Sequence, residues 1–282
     1  MSERGISFES LADAAWRHYA ACADAAFVVK PAIPILFFGD SERYFASARK
    51  ILTVGLNPSL REFPAGERLK HGWQRFEAAK ELYLSGRWNG DTVAYRAALD
   101  AYFRCDPYRQ WFCCFEPILN GLAASYYDGA AHTALNTDLC SPLATAPTWS
   151  GLRPEQRARL MQEGVALWHR LVEYLAPDVI LISVASRLRE LIRFELIQPW
   201  QPIYTIERRK DGTLKRHKYV VEAAMLRLGS GKQTRIVFGR AAHTPFGLIS
   251  NQDKTALGVA IGATPVSVEQ DSLSESIYKE WT

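Results

Sequence analysis

The amino-acid sequence predicts a three-layer α/β/α fold with a central sheet of four parallel strands. Four short, almost continuously apolar segments alternate with stretches whose apolar residues recur at the 3.6-residue period of a helix. Strands that alternate with helices form a mostly parallel sheet, and strands covered on both faces are apolar throughout. The 282 residues contain no internal repeat and no long Gly/Ser linker. We therefore expect one domain over residues 1–262 and a polar tail over 263–282.

The first half of the chain predicts one helix, one strand and then three further helices. Residues 7–27 place Trp16 and Tyr19 among the apolar positions of an amphipathic N-terminal helix. The apolar run at 51–55 predicts the first strand. Three amphipathic stretches follow, at 72–84, 91–103 and 108–122. Asp91 begins the second of them and is a suitable N-cap, because its carboxylate can accept from free backbone N–H groups.

The second half of the chain continues this alternation. Apolar runs predict the other three strands, at 132–139, 178–186 and 234–243. Helical patterns cover 153–178, 186–194 and 250–261, the last with Ser250 as its N-cap. Between the third and fourth strands, a segment of about residues 203–224 turns at Asp211-Gly212. An Asp-Gly pair between alternating segments is a strong local signal for a β-hairpin.

Composition limits the class of protein. No apolar run approaches the length of a membrane span, and residues 1–10 lack the basic-then-apolar pattern of a secretion signal, so we expect a cytoplasmic protein. The five cysteines are odd in number and form no C-x-x-C pair. This argues against a disulfide framework or a zinc ribbon and predicts reduced, mostly buried thiols without a metal or other cofactor. An iron–sulfur site stays open as an alternative, weakened because adjacent Cys113 and Cys114 do not easily ligate one cluster.

Basic charge is concentrated in one segment. The net charge of +4 and the pI near 8.8 permit nucleic-acid binding without requiring it. Seven basic side chains, counting His217, fall within the eleven residues 208–218 of the predicted hairpin. The candidates for phosphate contacts are Arg208, Arg209, Lys210, Lys215, Arg216 and Lys218. The alternative is a solvated hairpin whose charges protect an edge strand from pairing.

Three of the four predicted strands end in polar residues. GLNPS closes the first strand, LNTDLCSP the second and GRAAHTPFG the fourth. Parallel strands point their carboxyl ends to the same edge of a sheet, and ligands bind in the crevice outside that edge. We therefore expect these three loops to converge on one crevice.

The three segments resemble the motifs of the uracil-DNA glycosylase superfamily. Gly55-Leu56-Asn57-Pro58 is similar to the first motif of that family, G-x-[DN]-P, with Asn57 as in its mismatch-specific and single-strand-selective branches. His243-Thr244-Pro245 resembles the second motif, which usually begins H-P-S. Residues 135–139, LNTDL, resemble the segment whose asparagine reads the flipped base. The likeness covers the strands and their loops, about half of the chain, and departs from the family in H-T-P and in the basic hairpin.

The resemblance implies a metal-independent, monofunctional DNA glycosylase. By this likeness, Asn57 orients the attacking water, and His243 stabilises negative charge on the leaving base. The enzyme flips a nucleotide out of DNA and cleaves its N-glycosidic bond, which leaves an abasic site. No lysine lies in the matched motifs, so we expect no Schiff-base lyase step. We expect DNA as the partner, no obligate protein partner and a monomer that does not associate with membranes.

The identity of the base can be argued in part from side-chain chemistry. Asn136 has a donor and an acceptor and could read uracil or cytosine. An ionised Asp138 would accept from the amine of cytosine and repel O4 of uracil. Ser59 stands where strict uracil enzymes of the family carry a tyrosine, which opens the pocket to 5-substituents. Together these residues indicate a 5-modified cytosine, such as the hydroxymethylated or glucosylated bases of some phage DNA, excised in antiviral defence. Uracil is the conventional alternative.

The remaining candidates surround these motifs. The base-binding set is completed by Gly55, Leu56, Pro58 and Phe63. Phe63 is favoured over Trp111 and Phe112 as the ring that stacks on the base. Phe246 and Leu248 are candidate wedges for the gap that the base leaves, because they are apolar and follow His243. Thr244 and Ser250 are candidate DNA contacts.

Each candidate also has a structural alternative. An Asn-Pro pair after a strand is often only a turn, and Asn136 or Asp138 could instead satisfy backbone groups or an ion pair. Two functional alternatives also stay open. One is a non-catalytic DNA-binding protein of the same fold. The other is a nucleotide or nucleoside N-glycosidase, which the absence of a Gly-rich phosphate loop disfavours.

Overall fold

A computed structural model describes residues 5–63, 75–208, 211–241 and 244–263, and a mixed sheet of seven strands lies at its centre. In chain order the strands are β1 (Ile51–Gly55), β2 (Ala124–Ser125), β3 (His132–Asp138), β4 (Val179–Ile182), β5 (Glu195–Arg208), β6 (Leu214–Arg227) and β7 (Gln233–Gly239). Their spatial order is β2-β3-β1-β4-β7-β6-β5. The prediction of an α/β fold is confirmed, and the helices and sheet are consistent with three layers.

The four strands predicted from apolar runs form the parallel centre of this sheet. They are neighbours in the order β3-β1-β4-β7, and every residue of β1 and β4 is buried. The predicted number of four strands is wrong, because three more strands join the sheet. The extra parallel strand, β2, has only two residues, too few to produce a periodic pattern. The other two additions are the arms of the hairpin.

The hairpin is longer than predicted and is part of the sheet. Its arms, β5 and β6, each span 14 residues, and β6 pairs antiparallel with β7 from Val221 opposite Gly239 to Arg227 opposite Gln233. The turn contains Gly212 at φ +81°, as the Asp-Gly signal predicted. Pro199 and Pro202 interrupt the alternation of β5, and an edge strand tolerates them because one side of its backbone has no partner. The sequence pattern therefore did not predict residues 195–202 of β5.

The helices cover the sheet between the strands. They are α1 (Phe8–Ala21), α2 (Ser41–Ala46), α3 (Lys80–Ser85), α4 (Thr92–Asp100), α5 (Arg109–Phe112), α6 (Glu116–Gly121), α7 (Pro154–Leu175) and α8 (Asn251–Ala263). Short 3₁₀ helices lie at Leu60–Glu62, Glu77–Ala79, Tyr102–Arg104, Trp149–Gly151 and Ser186–Leu191. The Asp91 side chain accepts from Ala94 N–H at 2.9 Å, which confirms its predicted N-cap.

Several predicted helices are shorter than the sequence pattern. The N-terminal helix ends at Ala21 rather than at residue 27. The predicted helix 108–122 is divided into α5 and α6, with Pro117 in the first turn of α6, where proline is tolerated. Residues predicted as a helix at 186–194 form only the 3₁₀ helix Ser186–Leu191, because the chain enters β5 directly afterwards.

Helix α7 fixes the carboxyl end of β3. The indole Nε1 of Trp168 donates to Thr137 Oγ1 at 3.1 Å. Gly164 allows the helix to approach the loop after β3, since a Cβ there would lie 2.1 Å from Cys140 O. Successive strand residues face opposite sides, so Asn136 and Asp138 face away from α7. That opposite face is where the candidate site lies.

The described residues also bear on two other expectations. No helix among them is both long and apolar enough to cross a bilayer. The prediction of mostly buried thiols is wrong, because only Cys22 and Cys140 are buried, whereas Cys113 is exposed. Cys105 and Cys114 are partly exposed, and all five cysteines are free. The polar tail predicted over 263–282 lies outside the described residues, except for Ala263 at the end of α8.

Candidate active site

A cavity of about 650 Å³ opens at the carboxyl edge of the parallel strands. The loops after β1 and β3 both line it, as the shared-edge argument predicted. Of the predicted site residues, those that line the cavity are Gly55, Leu56, Asn57, Pro58, Ser59, Asn136, Asp138 and Thr244. His243, the second predicted catalytic residue, lies outside the described residues. Its neighbours Ala241 and Thr244 reach the cavity wall.

Asn57 is held in one orientation by the backbone around it. Its Nδ2 donates to Pro58 O at 2.8 Å, to Thr145 Oγ1 at 2.9 Å and to Leu143 O at 3.1 Å. Carbonyl oxygens only accept, so the end of the side chain that faces them is the nitrogen. Among the described residues the Oδ1 of Asn57 has no donor, and the side chain lines the cavity. The group presented to a ligand is therefore a fixed hydrogen-bond acceptor.

A chain of hydroxyl groups orients Asn136 in the opposite sense. The Thr53 hydroxyl donates to Asn136 Oδ1 at 2.9 Å and lies 2.5 Å from Tyr126 Oη. The Thr53 hydroxyl has one proton and also lies 3.3 Å from Leu135 O. When this proton goes to the closer acceptor, Asn136 Oδ1, Tyr126 donates to Thr53. The Nδ2 of Asn136 then has no acceptor among the described residues, and the residue lines the cavity. In this arrangement Asn136 presents a donor to the cavity.

Asp138 lies beside Asn136 on the same face of β3, over the end of β1. Gly55 is the register partner of Asp138, and a Cβ on Gly55 would lie less than a van der Waals contact from Asp138 Oδ1. This close approach explains why a glycine closes the first strand. Only 9% of Asp138 is exposed. Burial, reinforced by the negative charge of Glu62, raises the pKa of Asp138 well above its ordinary value.

The raised pKa changes the reading of Asp138. Side-chain chemistry alone predicts that Asp138 is an ionised carboxylate, which only accepts hydrogen bonds. Burial without a cation instead favours the neutral carboxylic acid, which donates through its O–H and accepts through its carbonyl. None of the ion pairs among the described residues includes Asp138.

Glu62 is a second acid in the cavity wall that the sequence analysis missed. It ends the 3₁₀ helix that follows the first motif and is 4% exposed. Its Oε2 accepts from the Tyr102 hydroxyl and lies 3.4 Å from Arg75 Nη1. Burial raises the pKa of Glu62 to about 7, although Tyr102 and Arg75 favour its charged form. The only hint in the sequence was an acid between two apolar residues, Leu60 and Phe63, close to the first motif.

Aromatic rings form another part of the cavity wall, but Phe63 is not one of them. The rings that line the cavity belong to Phe38, Tyr108, Trp111, Phe112 and Trp149. Phe63 is 2% exposed and packs against Phe76 at 5.5 Å and Tyr83 at 5.9 Å between ring centroids. The chain turns into the core after Glu62, which places Phe63 away from the cavity, whereas the partly exposed ring of Trp111 lines it.

Other cavity residues come from segments that the sequence analysis did not assign. Phe38 ends an apolar run at 33–38 and is held against β3 by backbone hydrogen bonds in both directions with Asn136, at 2.8 and 3.1 Å. The loop after β4 contributes Ser183, Val184 and Ala185. The sequence analysis did not include this loop among those that converge, because residues 183–185 contain no titratable side chain to mark it.

The loop after β7 is built around a buried ring. Phe246 is completely buried, and its N–H donates to Ser183 Oγ at 2.8 Å. Its ring lies so close to Gly239 that a Cβ there would clash with it. The structure thus places this candidate wedge in the core, while Leu248 is 39% exposed. The Ser250 hydroxyl caps α8 by exchanging hydrogen bonds with Asp253, which confirms the predicted N-cap and occupies a candidate DNA contact.

The tip of the hairpin extends past the carboxyl edge of the sheet. Strand β7 ends at Gly239 opposite Val221, so residues 214–220 of β6 continue beyond it, on the side where the cavity opens. Lys215 Nζ donates to Leu248 O at 2.9 Å, which joins the hairpin to the loop after β7.

The basic side chains of the hairpin differ in their partners. Lys218 pairs with Glu207 at 2.5 Å, and Arg208 Nη1 donates to Gly212 O at 2.9 Å. Arg216 is exposed and has no partner among the described residues. Arg209 and Lys210 lie outside the described residues. The positive charge of the hairpin is therefore partly neutralised within the hairpin itself.

Three arginines that the sequence analysis did not select line the cavity: Arg61, Arg157 and Arg187. Arg61 lies over the Tyr108 ring at 5.3 Å, and Arg157 donates to Leu152 O. Arg187 is exposed. Within the described ranges none of the three has an acidic partner, so their charges are available to a negatively charged ligand. Those ranges also contain no group of three or more His, Cys, Asp or Glu placed to hold a metal ion.

Comparison of the chain with protein-family models, with curated proteins and with solved structures found no match. The resemblance to the uracil-DNA glycosylase superfamily therefore remains a prediction from the motifs. The cavity is lined by two of the three matched segments, by Thr244 of the third and by the nearby residue Ala241.

Proposed function

We propose that this protein is a monofunctional DNA glycosylase that flips out a pyrimidine nucleotide and hydrolyses its N-glycosidic bond, leaving an abasic site. The observation that carries the proposal is the convergence of Asn57, Asn136 and Asp138 on one cavity from two strand ends. Each of these side chains is positioned by the protein and still has a polar atom without a described protein partner. Groups of this kind at a concave site are typical of ligand recognition and catalysis.

Asn57 supports a hydrolytic reaction through its fixed acceptor. A water that donates to Asn57 Oδ1 keeps a lone pair free for attack on the sugar carbon. An amide does not take the proton of that water efficiently, so its role is orientation. The reaction tolerates this because the glycosidic bond breaks mainly by departure of the base, and water then captures an oxocarbenium-like sugar. By the resemblance, His243 donates to the departing base.

The cavity supports a substrate larger than an unmodified pyrimidine. Its volume of about 650 Å³ lies within the range of roughly 300–1,000 Å³ that is usual for pockets that bury a small organic ligand. A flat pyrimidine ring alone fills only part of this space. Ser59 lines the wall with a small side chain. These features support a 5-modified cytosine, hydroxymethylated or glucosylated, with antiviral defence as the biological role and uracil as the alternative base.

The charge distribution supports DNA as the polymer that carries the base. Acids lie inside the cavity, while arginines border it and the basic hairpin tip extends past the same edge. Phosphates bound by these cations would place the sugar at the opening. Flipping costs a few kcal/mol, which stacking on rings such as Trp111 and hydrogen bonds to Asn136 would offset.

A panel of DNA oligonucleotides tests the proposal. Each oligonucleotide contains one uracil, thymine mismatch, 5-hydroxymethylcytosine or glucosylated 5-hydroxymethylcytosine, and mass spectrometry identifies the released base. We expect release of one base and an alkali-labile abasic site in the same strand. Asn57→Ala is the inactive control, and Asn120→Ala, on the exposed surface of α6 outside the cavity lining, is the matched active control. Binding of DNA without release of any base would instead indicate a non-catalytic DNA-binding protein.

One observation favours a second candidate, a nucleotide N-glycosidase. Arg61, Arg157 and Arg187 would bind the phosphate of a free nucleotide as well as that of DNA. Free deoxycytidine and deoxyuridine monophosphates, with and without the same 5-substituents, are therefore included in the panel. Faster release from the nucleotides than from the oligonucleotides would favour this candidate over the DNA glycosylase.

A further inference from the structure

Asp138 is a buried acid that has no cationic partner in the described part of the chain. The groups around it come from several elements: Gly55 on β1, Glu62 on the first 3₁₀ helix and Cys140 after β3. The ring of Trp111 borders the same surface, 3.8 Å from the position of a Cβ on Gly55. None of these groups is a base or a cation. Among the described residues, the immediate neighbours of the Asp138 carboxyl group are therefore neutral or acidic, although Arg61, Arg157 and Arg187 also line the cavity.

Of these two acids, only Glu62 has a cationic partner among the described residues. Arg75 Nη1 lies 3.4 Å from Glu62 Oε2, and the hydroxyl of Tyr102 donates to the same oxygen. Arg75 is itself fixed, because it also donates to Arg61 O and Asp106 O. When only one of two neighbouring carboxyl groups has a cationic partner, the group without that partner is the one that keeps a proton. In the described part of the chain, Asp138 is the carboxyl group without a cationic partner.

Asp138 and Asn136 together form a short recognition edge. They are two residues apart on one face of β3, and their register partners on β1 are Gly55 and Thr53. Asn136 offers an N–H donor, while a protonated Asp138 offers an O–H donor beside a carbonyl acceptor. Cytosine has an unprotonated N3 beside its exocyclic amine, which is the complement of a carboxylic acid. The N3 of uracil carries a proton, so it cannot accept the hydrogen bond that a carboxylic acid donates.

Cytosine-type bases also require more help to leave than uracil. Uracil can depart as an anion whose charge spreads over two carbonyl groups and the ring nitrogens. Cytosine has one carbonyl and an electron-donating amine, so its anion is less stable. A proton delivered to N3 allows the base to leave as a neutral molecule. The structure places a proton donor in the cavity where such a base would bind.

We propose that Asp138 is the general acid of this site and transfers its carboxyl proton to N3 of a cytosine-type base as the bond between N1 and the sugar breaks. This inference rests on the proposed glycosylase function and specifies its substrate class. The electron pair of the broken bond moves onto N1, and the base leaves as neutral cytosine with hydrogen on N3. Asp138 becomes a carboxylate. Water adds to the sugar carbon, and the proton that it loses restores the acid, so no other reactant is needed.

The test compares two substrates and two proteins. One oligonucleotide contains the modified cytosine released in the panel, and the other contains its 3-deaza analogue, in which a C–H replaces N3. The proteins are the full chain and Asp138→Asn, whose amide keeps a donor and an acceptor but transfers no proton. Single-turnover rates are measured from pH 5 to pH 9. Circular dichroism of both proteins checks that the variant is folded.

We expect Asp138→Asn to release the N3-containing base about 100-fold more slowly than the full chain, the lower end of the range for general acid catalysis. The 3-deaza base should be released equally slowly by both proteins. With the N3-containing base, the rate of the full chain should fall as rising pH removes the Asp138 proton, whereas that of the variant should not follow this change. If Asp138 had only a structural role, Asp138→Asn would slow the release of both bases equally and would leave the pH profile unaltered.

Failure of this inference is distinguishable from failure of the proposed function. Equal rates for the full chain on the two bases, or for the two proteins on the N3-containing base, would overturn the acid role while glycosylase activity stands. If the variant is unfolded, the comparison of the two bases by the full chain alone still decides. If the full chain releases no base from any oligonucleotide, both the proposed function and the acid role are overturned.

Discussion

Asp138 and Asp178 lie at opposite edges of one sheet, Asp138 at the carboxyl end of β3 and Asp178 immediately before β4. Asp178 accepts from Lys50 N–H at 2.6 Å and pairs with Lys232 at 2.8 Å, and its side chain is 30% exposed. Asp138 is buried and has no cation or donor among the described residues. A satisfied carboxylate is typical of structure, and an unsatisfied buried one is typical of a functional site. The comparison thus separates two residues of the same type by their surroundings.

The largest expected effect is on the rate of base release, and it comes from Asn57→Ala at the carboxyl edge of the sheet. Loss of the fixed acceptor should slow base release on the order of 10³-fold, about 4 kcal/mol in activation free energy, as for other preorganised polar groups. The measurement is the single-turnover rate on the oligonucleotide identified in the panel. Asn120→Ala should keep the rate of the unchanged protein. A rate for Asn57→Ala within a few-fold of that control would remove Asn57 from the reaction.

The next effect is a pH dependence of stability caused by Glu62 at the carboxyl edge. Its pKa is raised from 4.5 in the unfolded chain to about 7 in the folded protein. Above pH 4.5 the unfolded chain loses this proton while the folded protein keeps it, so the free energy of unfolding falls until about pH 7. The expected loss is up to about 3 kcal/mol, since one pKa unit corresponds to about 1.4 kcal/mol.

Urea unfolding at pH values from 4.5 to 8 measures this dependence. Glu62→Gln keeps an oxygen that accepts from Tyr102 but does not ionise, so its free energy of unfolding should change less over the same range. The Arg75 guanidinium is present in both proteins, which isolates the contribution of the carboxyl group. Identical pH profiles for the two proteins would show that Glu62 does not titrate as described.

Asp178→Ala tests the opposite edge of the sheet, where we expect an effect on stability and not on base release. Loss of the contacts with Lys50 and Lys232 should reduce the free energy of unfolding by about 1 kcal/mol, because the partly buried Lys50 N–H and Lys232 ammonium each lose an acceptor. The rate of base release by the folded protein should not change. Asp24→Ala is a suitable control, since Asp24 forms an exposed pair with Arg159 and its removal should change stability little. A loss of rate without a loss of stability would contradict the structural role of Asp178.

The smallest effect concerns the hairpin, whose charges are exposed. Arg208→Gln with Arg216→Gln should weaken DNA binding and reduce the slope of log affinity against log salt concentration by about 2, one for each lost phosphate contact. Arg227→Gln is the matched control, because Arg227 lies at the other end of β6 and pairs with Glu195. Fluorescence anisotropy with a labelled oligonucleotide at several salt concentrations gives the slopes. An unaltered slope would place the hairpin outside the interface.

Much of the fold was predictable because the central strands are buried on both faces. The apolar runs of β1, β3, β4 and β7 stand out from the chain for that reason. The outer arm of the hairpin was not predictable in full, because β5 is largely exposed and interrupted by proline. Phe246 and Phe63 were misplaced for a related reason. An apolar residue near a motif is equally compatible with a surface wedge and with the core.

The sequence by itself determined the α/β class, the central strands and the convergence of the segments at the carboxyl ends of β1 and β3 on one edge of the sheet. These follow from periodicity and from the common direction of parallel strands. Tertiary structure alone decided which atoms of Asn57 and Asn136 face the cavity, and that Asp178 but not Asp138 has a partner within the described ranges. Hydrogen bonding and pKa depend on neighbours that packing brings together from distant positions, such as Thr53 beside Asn136 and Glu62 near Asp138.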